Sequence, residues 1–234
     1  MKKTIFLLLA FLLIACGEKQ HDLVVKGHIK GLKKGTVYLK KIEDSTLITV
    51  DSLVINGNSI FELHSPIATP EVFYLYLDKR SNEKDRITFF ADKGITEINT
   101  TLKNFAFDVK IKGSEQQKKL EEYKAIISRI NNRNLELIKE HFEAQKEGDT
   151  EKFNAVQKES EGALKRKYLY TVNFALNNKD SEIAPYLALT EIYNAQLKFL
   201  DTINNSLTPK VKASKYGKEL NLFIEKIKEN EKTK

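Results

Sequence analysis

The chain has 234 residues, with 39 Lys and Arg against 32 Asp and Glu, a formal net charge of +7, four histidines and a single cysteine. One cysteine excludes an internal disulfide framework and a Cys-x-x-Cys redox motif. The basic residues alternate with Glu along the chain instead of gathering into a patch, which speaks against nucleic-acid binding.

In chain order, Lys2 and Lys3 precede an unbroken apolar run from Ile5 to Ala15. That run is too short for a bilayer core, which needs about 20 helical residues, and it reads as the apolar region of a secretory signal. Leu13-Ile14-Ala15-Cys16 has the form of a lipobox, in which the thiol is diacylated and the chain is cut before the cysteine. The expectation is a lipoprotein signal peptide over 1–15 and a lipidated tether over 16–22. Cys16 is the lipidation site and the membrane is held through its acyl chains.

From Leu23 the apolar residues recur with a period of two, as in half-buried strands. Leu23, Val25 and Ile29 define a first strand, and Gly31 and Gly35 bracket the turn to a second strand built on Val37 and Leu39. Thr46 to Ile55 is β-branched and apolar. It ends at Asn56-Gly57, a pair that predicts a tight hairpin because both residues tolerate positive φ. Ile60 to Leu63 is the expected return strand. Further strands are expected at Val72–Leu77, Arg86–Ala91, Ile95–Thr101 and Phe105–Lys112, with Pro66 and Pro70 in a connection. Short strands at this spacing predict a β-rich domain over 23–113, an antiparallel sandwich or open barrel.

After Gly113 the period becomes helical, and 114–234 is expected to be an α-helical domain. Ser114 with Gln117 forms a capping-box signature. Leu120, Tyr123, Ile127, Ile130, Leu137 and Phe142 follow at spacings near three and four, interrupted at Asn134 and His141. Gly148-Asp149 breaks the run, and a second stripe extends from Phe153 through Ala163 to Ala175, so the first two long helices should form an antiparallel hairpin. Ser181 is expected to cap a third helix carrying Pro185, Leu187, Ile192 and Tyr193. Phe199, Leu200 and Ile203 continue the pattern to Leu207-Thr208-Pro209. Tyr216, Leu220, Phe223, Ile224 and Ile227 make a last short helix. The predicted fold class is α+β, with the strands first and the helices after them.

Val25-Lys26-Gly27-His28-Ile29-Lys30-Gly31-Leu32, Thr36-Val37-Tyr38-Leu39, Asp51-Ser52-Leu53-Val54 with Asn56-Gly57 and Phe61, and Ile111-Lys112-Gly113-Ser114-Glu115 leading to Tyr123 carry a family resemblance. They resemble an N-terminal domain of unknown function in envelope lipoproteins related to thioredoxin-like disulfide oxidoreductases. The stretches Leu207–Lys212 and Ser214–Lys218 are similar to the helical linker of that family. Asn58-Ser59-Ile60 before Phe61 is longer than the family's usual single residue. The family's thioredoxin module, with its Cys-x-x-Cys, would begin after about Lys234. The resemblance implies an outer-membrane lipoprotein, with a thioredoxin-like envelope protein, or the substrate that such a protein reduces, as partner.

No catalytic residue, metal ligand set or cofactor site emerges from the pattern. His21, His28, His64 and His141 have no metal-ligand spacing, and Gly27-x-x-x-Gly31 lies between strand segments and is no phosphate loop. The helical-half aromatics Tyr168, Tyr170, Phe174, Tyr186, Tyr193 and Phe199 fit a core better than a ligand groove. Asp44-Ser45-Thr46, Asp51-Ser52-Leu53 and Asp201-Thr202-Ile203 resemble the Asp-Ser/Thr-apolar acceptor of envelope O-glycosylation. They make Ser45, Ser52 and Thr202 glycosylation candidates. The functional expectation is a non-catalytic, lipid-anchored binding or docking module. The alternatives are the front part of a truncated thiol–disulfide oxidoreductase, or a carrier of an apolar ligand.

Overall fold

Alternation in the sequence becomes alternation of burial in the computed structural model, which describes residues 22–78 and 85–232. In β1 (Leu23–Lys30), Leu23, Val25 and Ile29 are fully buried while Val24, Lys26 and His28 face outward. The strands that follow are β2 (Lys34–Glu43), β3 (Thr46–Asn56), β4 (Ile60–Ser65), β5 (Glu71–Tyr76), β6 (Arg86–Ala91), β7 (Gly94–Thr101) and β8 (Lys110–Lys112). They form two four-stranded sheets, ordered β4-β1-β7-β8 and β3-β2-β5-β6. The arrangement is a sandwich and not an open barrel. All pairings are antiparallel except β1 with β7, which run parallel from Leu23 beside Gly94 to Lys30 beside Thr101. The two inner faces bury Val25, Phe61, Phe73, Leu75, Phe89 and Ile98, and each such side chain removed from water contributes roughly 1.5–3 kcal/mol. Gly27 faces this interior, and a Cβ there would lie 1.7 Å from the Ile98 carbonyl oxygen, so β1 needs a residue without a side chain at that point.

Three strand expectations change. Asn56-Gly57 does turn the chain, with Gly57 at φ 94°, but it does not make a hairpin. β3 stays paired with β2 and β4 crosses to β1 in the other sheet. The Gly57 N–H donates to the Lys33 carbonyl at 2.8 Å, which ties the turn to the start of β2 rather than to β4. The tight hairpin is instead Asp44-Ser45 between β2 and β3, where Glu43 pairs with Thr46 and both loop residues have positive φ. The expected strand at Phe105–Lys112 shrinks to β8. Before it, the Thr101 hydroxyl accepts from the Asn104 N–H and the Thr100 hydroxyl donates to the Phe105 carbonyl, a turn that tucks Phe105 into the core.

The second half is helical: α1 (Glu115–Glu147), α2 (Thr150–Asn177), α3 (Ile183–Glu191), α4 (Leu197–Ser206), α5 (Pro209–Lys212) and α6 (Lys215–Lys232). Ser114 caps α1 by accepting from the Gln117 N–H at 3.0 Å. Gly148 ends α1 at φ 68°, and Asp149 caps α2 by accepting from the Lys152 N–H. Ser181 stands one residue before the cap position of α3, and its hydroxyl accepts from the Ile183 N–H at 3.4 Å. The same hydroxyl donates to Gln116 Oε1 at 2.6 Å, and Glu182 occupies the cap position without a side-chain bond. α3 ends at Glu191, so Ile192 and Tyr193 fall in a turn before α4. The last helix is 18 residues long, not short. Among the described residues no helix is long and apolar enough to cross a membrane.

The helices lie against the β5–β6 part of the outer face of the β3-β2-β5-β6 sheet, and β3 stays open there, with Val54 72% exposed. Val72 and Phe90 on that face share a core with Leu120, Tyr123, Ile127, Leu187 and Tyr216. The rings of Phe90, Tyr186 and Tyr216 meet edge to face at 5.2–5.7 Å. Two strand amides that find no strand partner are taken by helical side chains. The Val72 N–H donates to Tyr216 Oη and the Phe90 N–H to Gln117 Oε1, both at 2.9 Å.

Candidate functional site

The helices pack over β5 and β6, and the outer face of the other sheet, β4-β1-β7-β8, stays open. The strand register lays its side chains in rows. His64, Val24 and Ile95 form one row, Glu62, Lys26 and Glu97 the next, and Ile60, His28 and Asn99 the third. The second and third rows line a trough of about 430 Å³ floored by Gly27 and Phe61. Lys26 Nζ stands 3.7 Å from Glu97 Oε1, and His64 Nε2 3.4 Å from Glu62 Oε1. Ile60 and Ile95 flank the charged rows and are 61% and 50% exposed. The trough therefore offers two carboxylates, an ammonium, an imidazole and an amide, bordered by apolar side chains, a mixture suited to recognition through hydrogen bonds. Among the described residues no three His, Cys, Asp or Glu side chains converge as a metal set would.

One edge of this face is laced to the other sheet. Asp51 on β3 accepts from its neighbour's amide, Ser52 N–H, through Oδ1 and from the His64 N–H on β4 through Oδ2, each at 2.7 Å. A bulge at Val50, where the register of β3 against β2 shifts, aims the Asp51 carboxylate across the gap.

The most buried ion pair lies where the sheet meets the helices. The Glu71 carboxylate, 7% exposed, receives Lys41 at 3.3 Å and Lys215 at 2.6 Å, and Lys215 Nζ also donates to the Ile42 carbonyl. Asp92 Oδ2 accepts from the Glu115 and Gln116 N–H groups at the start of α1. Beside it, Glu182 is almost wholly buried and accepts from Gln116 Nε2 at 2.9 Å, while its Oε1 has no partner. Burial holds the Glu182 carboxyl above the usual carboxylate range. These groups fix the helices on the sheet, and they belong to the fold more than to a ligand.

The residues singled out in the sequence are scattered. Cys16, with the whole expected signal and most of the tether, lies outside the described residues, as does His21. Ser45 is at the β2–β3 hairpin tip, Ser52 is on β3, and Thr202 is on α4. All three are exposed and they share no site. Thr202 Oγ1 donates to the Lys198 carbonyl at 2.6 Å, and Asp201 is held by Lys228 at 2.7 Å. His28 opens into the trough, while His141 packs on the Phe153 ring at 4.2 Å between α1 and α2. Of the helical-half aromatics, Tyr193 is 57% exposed and the others pack against buried side chains. The trough residues Lys26, Glu62, Glu97 and Asn99 were not picked out in the sequence. The parallel pairing of β1 with β7, which brings Asn99 and Glu97 beside His28 and Lys26, has no local signal.

No curated protein and no solved structure matches the chain. One family model does, over the strands and the first turn of α1, and it carries no thioredoxin-like assignment. Residues 23–120 match the family model described as a domain of unknown function, DUF4369.

Proposed function

We propose that the protein is a lipid-anchored envelope protein that works by binding a partner protein, with the open face of the β4-β1-β7-β8 sheet as its docking surface. The observation that carries this reading is the asymmetry of the sandwich. Helices pack on the β5–β6 part of one outer face, and the other face carries no helix over its centre and presents a trough of about 430 Å³ lined by Lys26, His28, Glu62, Glu97 and Asn99. The anchoring part rests on Lys2, Lys3, the apolar run to Ala15 and Cys16. Leu23 is seven peptide steps from Cys16, so the start of β1 stays within about 25 Å of the acylated cysteine. The partner class is a thioredoxin-like envelope protein, on the family resemblance of the sandwich.

Two experiments test the reading. Cys16→Ala should leave an uncut precursor that no longer labels with radioactive fatty acid, and normal processing of that variant would remove the anchor. A photo-crosslinker at His28 or Asn99 in intact envelopes should capture a partner that a crosslinker at Val54, on the opposite sheet, does not. Equal capture from both faces would remove the docking surface. Capture of a partner without a thioredoxin-like fold would keep the surface and replace the partner class.

A further inference from the structure

A second cavity, unrelated to the trough and independent of the docking reading, lies in the helical half. The loop after α4 drops through Pro209 into the four-residue α5 and returns along α6, which leaves a cleft of about 550 Å³ between the three, within the size range of small-molecule sites. Its back wall is rigid. A Cβ on Gly217 would lie 2.0 Å from the Val211 carbonyl oxygen, and the Ser214 hydroxyl donates to that same carbonyl at 2.7 Å, so α5 and the first turn of α6 touch backbone to backbone.

The polar lining is oriented. Asn221 Nδ2 donates to Glu225 Oε1 at 2.8 Å, which fixes the amide so that Asn221 Oδ1 accepts from Asn204 Nδ2 at 3.1 Å. Asn204, 9% exposed, is thereby oriented with one of its two amide N–H groups on Asn221, and its Oδ1, with no partner among the described residues, is left as an acceptor at the cleft. Lys212 and Lys218 stand at the same opening. Lys212 Nζ reaches only the Asn205 carbonyl at 3.4 Å, and neither ammonium meets a carboxylate among the described residues. Leu222, 56% exposed, supplies an apolar wall.

We propose that this cleft binds a small anion carried on a hydroxylated ring, a phosphorylated or carboxylated sugar. The chemistry follows from what the lining offers. An open amide oxygen calls for an O–H donor, two uncompensated ammonium groups call for an oxyanion, and the Leu222 side chain accepts the C–H face of a ring. A neutral sugar lacks the oxyanion, and inorganic phosphate lacks the ring.

The test is a titration of the full chain, followed by amide NMR shifts, with glucose 6-phosphate, glucuronate, glucose and inorganic phosphate. Glucose 6-phosphate or glucuronate should shift the amides of Asn204, Lys218 and Asn221 with a Kd of about 1 mM or lower, and glucose and inorganic phosphate, each lacking one part, should bind about tenfold more weakly. Which of the two anions binds tighter distinguishes a phosphorylated from a carboxylated ligand. The double variant Lys212→Ala/Lys218→Ala should keep the unfolding temperature of the parent and lose about tenfold in affinity. Absence of any shift up to about 10 mM ligand, equal binding of phosphate or glucose alone, or unchanged affinity in the double variant would each overturn the proposal.

Discussion

Serine is poorly suited to the left-handed region of backbone space, yet Ser45 sits there at φ 65° beside Asp44 at φ 46°. The pair forms the two-residue turn that matches strand twist, whose preferred second residue is glycine. A left-handed L-residue other than Gly, Asn or Asp carries about 1–2 kcal/mol of strain, partly offset by the entropy that glycine loses on folding. Ser45→Gly is therefore expected to raise stability by roughly 0.5–1 kcal/mol, read as a higher urea midpoint at unchanged slope. A lower midpoint would show that the Ser45 side chain contributes more than its backbone costs. The same residue shows why the hairpin was illegible in the sequence. Asp44-Ser45 lacks the glycine that announces such a turn, while Asn56-Gly57 carries the full signal and serves a crossing between sheets. The chemistry of a turn predicts its backbone angles, not which strands it joins.

At the scale of elements, strand and helix identities were legible because burial follows the period of the sequence on both sides of Gly113. Partners were not legible. The parallel neighbours β1 and β7 are separated by five intervening strands, and only the assembled sandwich reveals the rows of the trough. The cleft between α4, α5 and α6 was hidden for another reason: Asn204, Lys212 and Asn221 read as ordinary solvated helix residues until the chain reverses at Pro209. The docking of helices on the sheet had one sequence trace, Ser114 with Gln117. The structure uses only half of that capping box, because Gln117 Oε1 accepts from Phe90 rather than turning back to the cap. The counterpart on α6 is Tyr216, whose hydroxyl accepts from the Val72 N–H. Tyr216→Phe keeps the ring contacts with Phe90 and Tyr186 and leaves that buried N–H unpaired. The expected loss is about 1–3 kcal/mol, measured by chemical denaturation. A loss within experimental error would mean that the helix is held by its apolar contacts alone.

For the whole molecule, the joint between sheet and helices sets the response to pH. Tyr123, Tyr186 and Tyr216 all belong to that joint, and burial pushes each phenol up, Tyr186 to about 12 and the other two further. A raised pKa means that the folded state keeps its proton when the unfolded chain has already released it. The stabilisation is complete below the ordinary tyrosine value of 10.0 and is lost progressively above it, with a slope near 1.4 kcal/mol per pH unit for each affected phenol. Thermal unfolding followed from pH 8 to 11 should show a plateau and then a steep fall. Tyr216→Phe should make that fall shallower by about one proton's worth of slope. At the acid end Glu182 acts in the same sense: its raised carboxyl favours the folded state below the ordinary 4.5, and that help fades as pH rises through the raised value.

The position of β1 has a mechanical consequence. It is a central strand, bonded to β4 along Leu23–His28 and to β7 along Leu23–Lys30, and the chain enters it at Leu23. A pull on the N-terminus, resisted by the rest of the molecule, runs along the strand axis and loads both ladders in shear. The hydrogen bonds on the two sides must then yield together instead of peeling one at a time. The end of the chain that carries any tether is thus joined to the body through a strand held by ladders on both sides.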